Sequence, residues 1–256
     1  MTTLQTIILG IVQGITEFLP VSSSGHLVML EKFFQIKENL VLINLVLHVG
    51  TAMAVICFFW KDIIEIVKNK NFVLVRNLAI AFLTTSVFAF AFKDIVEKIF
   101  IHGENIIPIA WGFAFTAFVL LLIKKIKNNN KDINSLGILE FVKIGLAQAI
   151  AIVPGISRSG MTFFAASKSG ANKEDAFRFS FLLSIPTILG AAAVETLTSY
   201  KDIAVGLNIA NLMVGLIISF IFGILSLWVF QYLVRQSKLW IFSIYLILLS
   251  FFLLVL

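Results

Sequence analysis

The sequence predicts an all-α integral membrane protein: six full transmembrane helices plus two re-entrant helical hairpins, arranged as an inverted-topology repeat. Three observations predict it. The 256 residues are 59% hydrophobic and 13% charged, with a mean hydropathy of +1.01, whereas a soluble domain is about half apolar and about a quarter charged. Six apolar runs are long enough to cross a bilayer. Two further runs are interrupted by short Pro/Ser/Gly clusters that match one another.

A helix needs about 20 apolar residues to cross the hydrocarbon. The runs that qualify are roughly 40–60, 72–92, 105–123, 177–198, 209–233 and 239–256. Charged residues punctuate them at Lys61-Asp62, Lys93-Asp94, Lys124-Lys125, Lys201-Asp202 and Arg235, and Asn128-Asn129-Asn130 lies in a basic loop. The N-terminus has no basic region and no small-residue cleavage site, so no removable signal peptide is expected. A lone cysteine, Cys57, excludes an intrachain disulfide and a thiolate metal cluster. The pI of about 9.5 fits nucleic acid poorly, because the basic residues sit in short loops between apolar runs, where membrane orientation explains them. The 26 Phe read as core and lipid-facing filling, with Trp60, Trp111, Trp228 and Trp240 near interfaces.

The interrupted regions are 4–34 and 136–169. Each contains two halves too short to span, and a break at membrane depth is tolerated only where it is buried in protein or lines a wet cavity. Placing Gln13 on Gln148 puts Ser22 on Ser157, Ser24 on Ser159, Gly25 on Gly160 and Gly10 on Gly145. Each hairpin is followed by three spans, giving one membrane domain over 1–256 made of repeats at about 1–130 and 131–256. A hairpin returns to its own side and three spans do not, so the second copy enters from the opposite face. Paired interrupted segments in such repeats point to a site at their interface. Lys32, Lys37, Lys93, Lys98 and Lys201 fall on the side of both termini. The other side holds Lys61, Lys68, Lys70, Arg76, Lys124, Lys125, Lys127, Lys131, Lys143, Lys168, Lys173, Arg178, Arg235 and Lys238. The second side is expected to be cytoplasmic, with both termini outward.

The first break, Gln13-Gly-Ile-Thr-Glu17-Phe-Leu-Pro20-Val-Ser22-Ser23-Ser24-Gly25-His26, carries ionisable groups inside apolar sequence, where each is costly and marks a functional site. Gln13 and Glu17 share one helix face. Ser22, Ser23, Ser24 and Gly25 form a turn before a helix start, which favours anions through free N–H groups and the helix dipole. The second break has Ile152 and Met161 where Glu17 and His26 stand, and brings Arg158 in Pro154-Gly-Ile-Ser157-Arg158-Ser159-Gly160. Arginine suits bidentate phosphate recognition. Brought together, these groups match phosphoryl-group hydrolysis. Arg158 and the helix starts bind phosphate, a hydroxyl or water attacks, and His26 with Glu17 moves protons or holds a metal ion.

Gln-x-x-x-Glu followed by Phe18-Leu-Pro-Val-Ser-Ser-Ser-Gly-His26 resembles the first signature of the bacterial undecaprenyl-diphosphate phosphatase family, also linked to bacitracin resistance. Pro154–Gly160 resembles its second signature, and Leu47-His48-Val-Gly-Thr51 and Ala176–Pro186 are similar to further family segments. The resemblance covers essentially the whole chain. It implies hydrolysis of undecaprenyl diphosphate to undecaprenyl phosphate and inorganic phosphate, recycling the lipid carrier of peptidoglycan and other envelope polymers. It also implies a multi-pass protein of the bacterial cytoplasmic membrane with an outward-facing site, a divalent cation (Mg or Ca), and essential roles for Glu17, Ser23, His26 and Arg158. Gln13 leaves one carboxylate, rather than two, beside the cation. The expected partners are a polyprenyl diphosphate lipid and the bilayer, with a homo-oligomer allowed and nucleic acid excluded.

Blander roles compete at several positions. Ser22, Ser24, Ser157 and Ser159 either bind phosphate or only cap helices. Gln148 either reaches the site or bonds between helices. Thr162 is a candidate phosphate ligand just past Gly160. His48 reads as an interhelical contact, and Glu140 and Glu195 as snorkelling or solvated. The nucleophile is Ser23, His26 or a metal-activated water. The rival function is an anionic-substrate transporter or a polyprenyl-phosphate flippase, since broken helices in inverted repeats are also a transporter layout.

Overall fold

The computed structural model describes residues 1–36, 40–96, 98–99, 106–126, 131–198 and 209–255, apart from the Lys93 side chain. Lys37, Lys127, Lys201 and Asn128–Asn130 lie outside the described residues. Among the described residues there is no strand; Lys131 and Ala171 form one isolated bridge.

Each interrupted run folds as two short helices around its break. Helix α1 (Thr3–Phe18) opens on a Thr2 capping box with Gln5 and ends before Pro20. Helix α2 (Ser23–Phe33) follows the break. In the second region α7 (Ile138–Ile150) and α8 (Arg158–Lys168) flank the Pro154-Gly155 turn. At roughly 1.5 Å per residue none of the four reaches across a hydrocarbon core of about 30 Å.

Between and after the hairpins run α3 (Leu40–Phe58), α4 (Trp60–Lys68), α5 (Phe72–Val96), α6 (Ile107–Ile123), α9 (Lys173–Thr198), α10 (Ile209–Arg235) and α11 (Ile241–Val255). Four stretches, Leu40–Phe58, Phe72–Phe92, Lys173–Leu197 and Ile209–Arg235, are long and apolar enough to span, and the protein is a multi-pass membrane protein. Two runs read from the sequence as full spans are shorter helices, with 17 residues in α6 and 15 in α11. The charged punctuation at Lys61-Asp62 is not a loop but the short helix α4. Its strongly one-sided sequence places apolar Ile63 and Ile66 against the core while Lys61 stays exposed.

Each broken helix packs on a longer one. The α1 helix packs chiefly on α10, α7 on α5, and α6 on α11, and α3 crosses α9. Small residues let the backbones approach. A Cβ on Gly14 would lie 2.8 Å from Ser219 O of α10, and one on Gly145 would lie 2.5 Å from Ala81 O of α5. A hydroxyl from the packed helix lands on each half-helix: Ser226 Oγ donates to Gly14 O (2.8 Å), and Thr85 Oγ1 to Gly145 O (2.9 Å). The largest apolar cluster is aromatic, with Phe18, Phe59, Phe177, Phe181 and Phe230 in ring contact across α1, the α3–α4 junction, α9 and α10. Trp60, Trp111 and Trp228 stay exposed on the outside.

Candidate active site

The two breaks dock on each other. Gly155 N–H donates to Ser22 Oγ (3.1 Å), and Ser159 Oγ to Leu19 O (3.4 Å). Ser22 has φ 69°, a left-handed conformation costly for a side-chain-bearing residue and maintained only where the surroundings over-determine it. Docking on the second turn supplies that constraint. Gly155 has φ +94°, and a Cβ there would lie 2.5 Å from Ile109 O. Thr116 of α6 braces the same turn, donating to Gly155 O (2.8 Å) and accepting from Ser157 N–H (3.0 Å). Gly155→Ala therefore lowers stability by about 1–3 kcal/mol from backbone strain alone. The check is the thermal midpoint in detergent, and an unchanged midpoint would show that the turn is not a fixed point of the fold.

Glu17 is the hub of the paired turns. Its Oε1 accepts from Arg158 Nη2 at 2.5 Å. Its Oε2 accepts from Ser23 Oγ at 2.5 Å and from Gln13 Nε2 at 3.1 Å. His48 Nδ1 lies 3.7 Å from the same oxygen. A carboxylate only 8% exposed is tolerated because the guanidinium and two neutral donors compensate it. Arg158 spends one amino group on Glu17, while its buried Nη1 has no hydrogen-bond partner among the described residues, and an unmet guanidinium donor is expensive. The group stands at a cavity of about 240 Å³ walled by both turns (Ser22–Ser24 and Ile156–Arg158), by His48 of α3 and by Thr187 and Glu195 of α9. Two helix starts, the Arg158 guanidinium and a carboxylate-held serine hydroxyl thus border one space. That set can hold a phosphate group and deprotonate an attacking hydroxyl.

The structure brings Glu17, Ser22, Ser23, Ser24, Ser157 and Arg158 to this cavity. Ser157 also caps α8, accepting from Gly160 N–H (3.2 Å). Other expected site residues do not reach it. His26 turns away from Glu17, with Nδ1 2.7 Å from Ser22 O and Nε2 2.7 Å from the Tyr245 hydroxyl of α11, its ring against Phe113. Both ring nitrogens are occupied, so the geometry gives it a hold on the Ser22 turn rather than a place beside the carboxylate. Thr162 bonds Arg158 O (2.9 Å) and Ser180 Oγ, and is fully buried between α8 and α9. Gln148 donates to Thr85 and Thr187 (3.0 and 3.1 Å), an interhelical tie. Ser159 joins Ser157 to Leu19. Gly25 acts by small size, since a Cβ there would lie 2.7 Å from the Phe113 ring and 2.9 Å from Gly155 N, whereas one on Gly160 would meet Pro20 at an ordinary 3.4 Å.

His48, Thr187 and Glu195 line the cavity although their sequence context reads as ordinary span. The only signal was the family-like segment around His48; spacing cannot say which face of a long apolar helix meets the site. For a cation, the described residues contain no group of three His, Cys, Asp or Glu. They do offer the Glu17 carboxylate and the buried Gln13 Oε1, an acceptor without a partner among the described residues. Such sparse hard oxygen donors suit an ion shared with substrate phosphates rather than one caged by protein.

An all-helical, multi-pass membrane protein with two broken helix pairs closing on a buried Arg–Glu–Ser centre is the class that fold and site define. The chain belongs to the family of the bacitracin resistance protein BacA, whose model matches residues 6–252. Relatives named undecaprenyl-diphosphatase include one from Thermosipho melanesiensis, 41% identical over 252 residues, 96% of each chain. One from Thermosipho africanus is 40% identical over 250 residues, 95% of this chain and 96% of the relative. One from Carboxydothermus hydrogenoformans is 36% identical over 247 residues, 96% and 94% respectively.

Proposed function

We propose that this chain hydrolyses undecaprenyl diphosphate to undecaprenyl phosphate and inorganic phosphate in the bacterial cytoplasmic membrane, recycling the carrier for peptidoglycan and envelope polymers. The observation that carries it is the Ser23–Glu17–Arg158 chain, in which a hydroxyl, a base and a guanidinium with a spare donor share one cavity. Ser23 Oγ attacks the terminal phosphorus as its proton passes to Glu17. The bridging P–O bond breaks, and undecaprenyl phosphate leaves with the electron pair. Water then cleaves the phosphoserine, releasing inorganic phosphate and restoring the hydroxyl. Arg158 and the N–H groups of both helix starts neutralise the phosphoryl oxygens as charge builds. His26 and Tyr245 position the Ser22–Ser23 turn. A divalent cation, Mg or Ca, belongs to this reading, with Glu17 and Gln13 Oε1 to hold it; when bound it supplies Lewis-acid neutralisation of phosphate charge. The polyprenyl tail stays in the bilayer, worth about 0.8 kcal/mol per CH₂, so the headgroup enters laterally.

The same reading has six spans and two re-entrant hairpins as an inverted repeat, with termini and site outward. The reciprocal packing of α1 on α10 and α7 on α5 supports it, as does the charge bias between loops. The transporter reading accounts for Arg158 and the helix starts but leaves the Ser23–Glu17 pair without a task. In detergent micelles, where vectorial transport cannot register, the protein is expected to release phosphate from undecaprenyl diphosphate. Release is expected to stop with a chelator and with Glu17→Ala. No release, together with uptake by sealed vesicles, would favour the carrier.

A further inference from the structure

The geometry points to His48, rather than His26, as the imidazole that meets the substrate, donating its Nε2–H to a phosphate oxygen while Gln13 holds its Nδ1. The inference rests on reading the cavity as the diphosphate site, and it is carried by the hydrogen-bond arithmetic around Gln13. Gln13 Nε2 has three neighbours: His48 Nδ1 at 2.8 Å, Glu17 Oε2 at 3.1 Å and Thr51 Oγ1 at 3.4 Å. An amide nitrogen has two hydrogens, which go to the two nearer acceptors. Turning the amide over would set its oxygen against the Glu17 carboxylate, acceptor facing acceptor. Glu17 therefore fixes the amide, and the amide fixes the tautomer: Nδ1 accepts and the ring hydrogen sits on Nε2.

That Nε2 has no partner among the described residues, and the His48 side chain, 31% exposed, lines the same cavity as Ser23 and Arg158. The helix that carries it is held rigidly. A Cβ on the neighbouring Gly50 would fall 2.6 Å from Leu216 O of α10, so α3 and α10 are in backbone contact one turn from the site. His26 offers no such donor, since both its nitrogens are bonded within the protein. The chain Glu17–Gln13–His48 thus links the proposed base to a donor on α3 beside it, and makes Gln13 a positioning residue as well as an oxygen donor.

Glutamine is the one substitute that keeps both functions, an acceptor for the Gln13 amide and a donor for phosphate on one planar head. The test measures phosphate release from undecaprenyl diphosphate, and binding of inorganic pyrophosphate to the solubilised full-length protein by calorimetry. The proteins compared are wild type, His48→Ala and His48→Gln, with thermal midpoints taken alongside. His48→Ala is expected to raise KM and weaken pyrophosphate binding by about 10- to 100-fold, the range of one hydrogen bond to a charged group. Its kcat should change far less, and His48→Gln should recover most of both losses. Equal pyrophosphate binding by wild type and His48→Ala overturns the proposal. So does a fall in kcat at unchanged KM that glutamine fails to rescue. Pyrophosphate binding needs no turnover. A wild-type protein that binds it through His48 but releases no phosphate would therefore sink the hydrolase reading and leave the His48 contact standing.

Discussion

Replacing Arg158 with lysine lowers kcat/KM for undecaprenyl diphosphate by about 100- to 1,000-fold, the usual loss when one preorganised donor to a phosphoryl or oxyanion centre is removed, although the charge is kept. The reason is the division of labour within one guanidinium. Nη2 is committed to Glu17 at 2.5 Å, and Nη1 is buried without a partner among the described residues. A planar fork can bridge a carboxylate and a phosphate at once, whereas an ammonium on a flexible stem meets one or the other. Lysine that turns to Glu17 abandons the substrate, and lysine that turns to the substrate leaves a buried carboxylate exposed to its own desolvation cost. The measurement is steady-state phosphate release in micelles with a thermal midpoint taken in parallel. Wild-type kinetics in a stable Arg158→Lys protein would remove Arg158 from the phosphate.

Ser23→Ala is expected to cost at least about 1,000-fold in kcat, as the loss of a nucleophile acting within a unit does. The fold should hardly change, because Ser23 is only partly buried and, among the described residues, its hydroxyl bonds to Glu17 alone. Glu17→Gln should fall comparably, since the amide cannot take the proton, and should also be less stable, because the Arg158 charge is then uncompensated. Acid quenching during turnover with a labelled terminal phosphate is expected to trap label on Ser23. Label on His26, or no trapped label with Ser23→Ala still active, would return the attack to one of the other two candidates.

Much of this site could be read in the chain. The apolar runs with their two interruptions specified an all-helical membrane protein. The offset that places Gln13 on Gln148 matches Ser22 to Ser157 and Gly25 to Gly160 on spacing alone, and the structure does bring the two breaks into contact. What spacing could not give is direction. Ser23 and His26 sit within one turn of each other, yet one faces Glu17 and the other faces Tyr245. The choice depends on α6 and α11, which approach α2 from far along the sequence. Thr162 and Gln148 look like ligands in a linear motif and are consumed by α9 and α5. His48 looks like a span residue and stands in the cavity.

The sequence by itself determined the material and the local breaks: which segments prefer lipid, where proline and glycine stop a helix, and which few polar groups must find partners or stay costly. Those are properties of single residues and their near neighbours, and the solvent enforces them wherever the chain goes. Only the tertiary structure decided which of those polar groups face one another. The Glu17–Arg158 pair joins residues 141 positions apart, and the side of a helix that fills a cavity is set by what packs against its other sides.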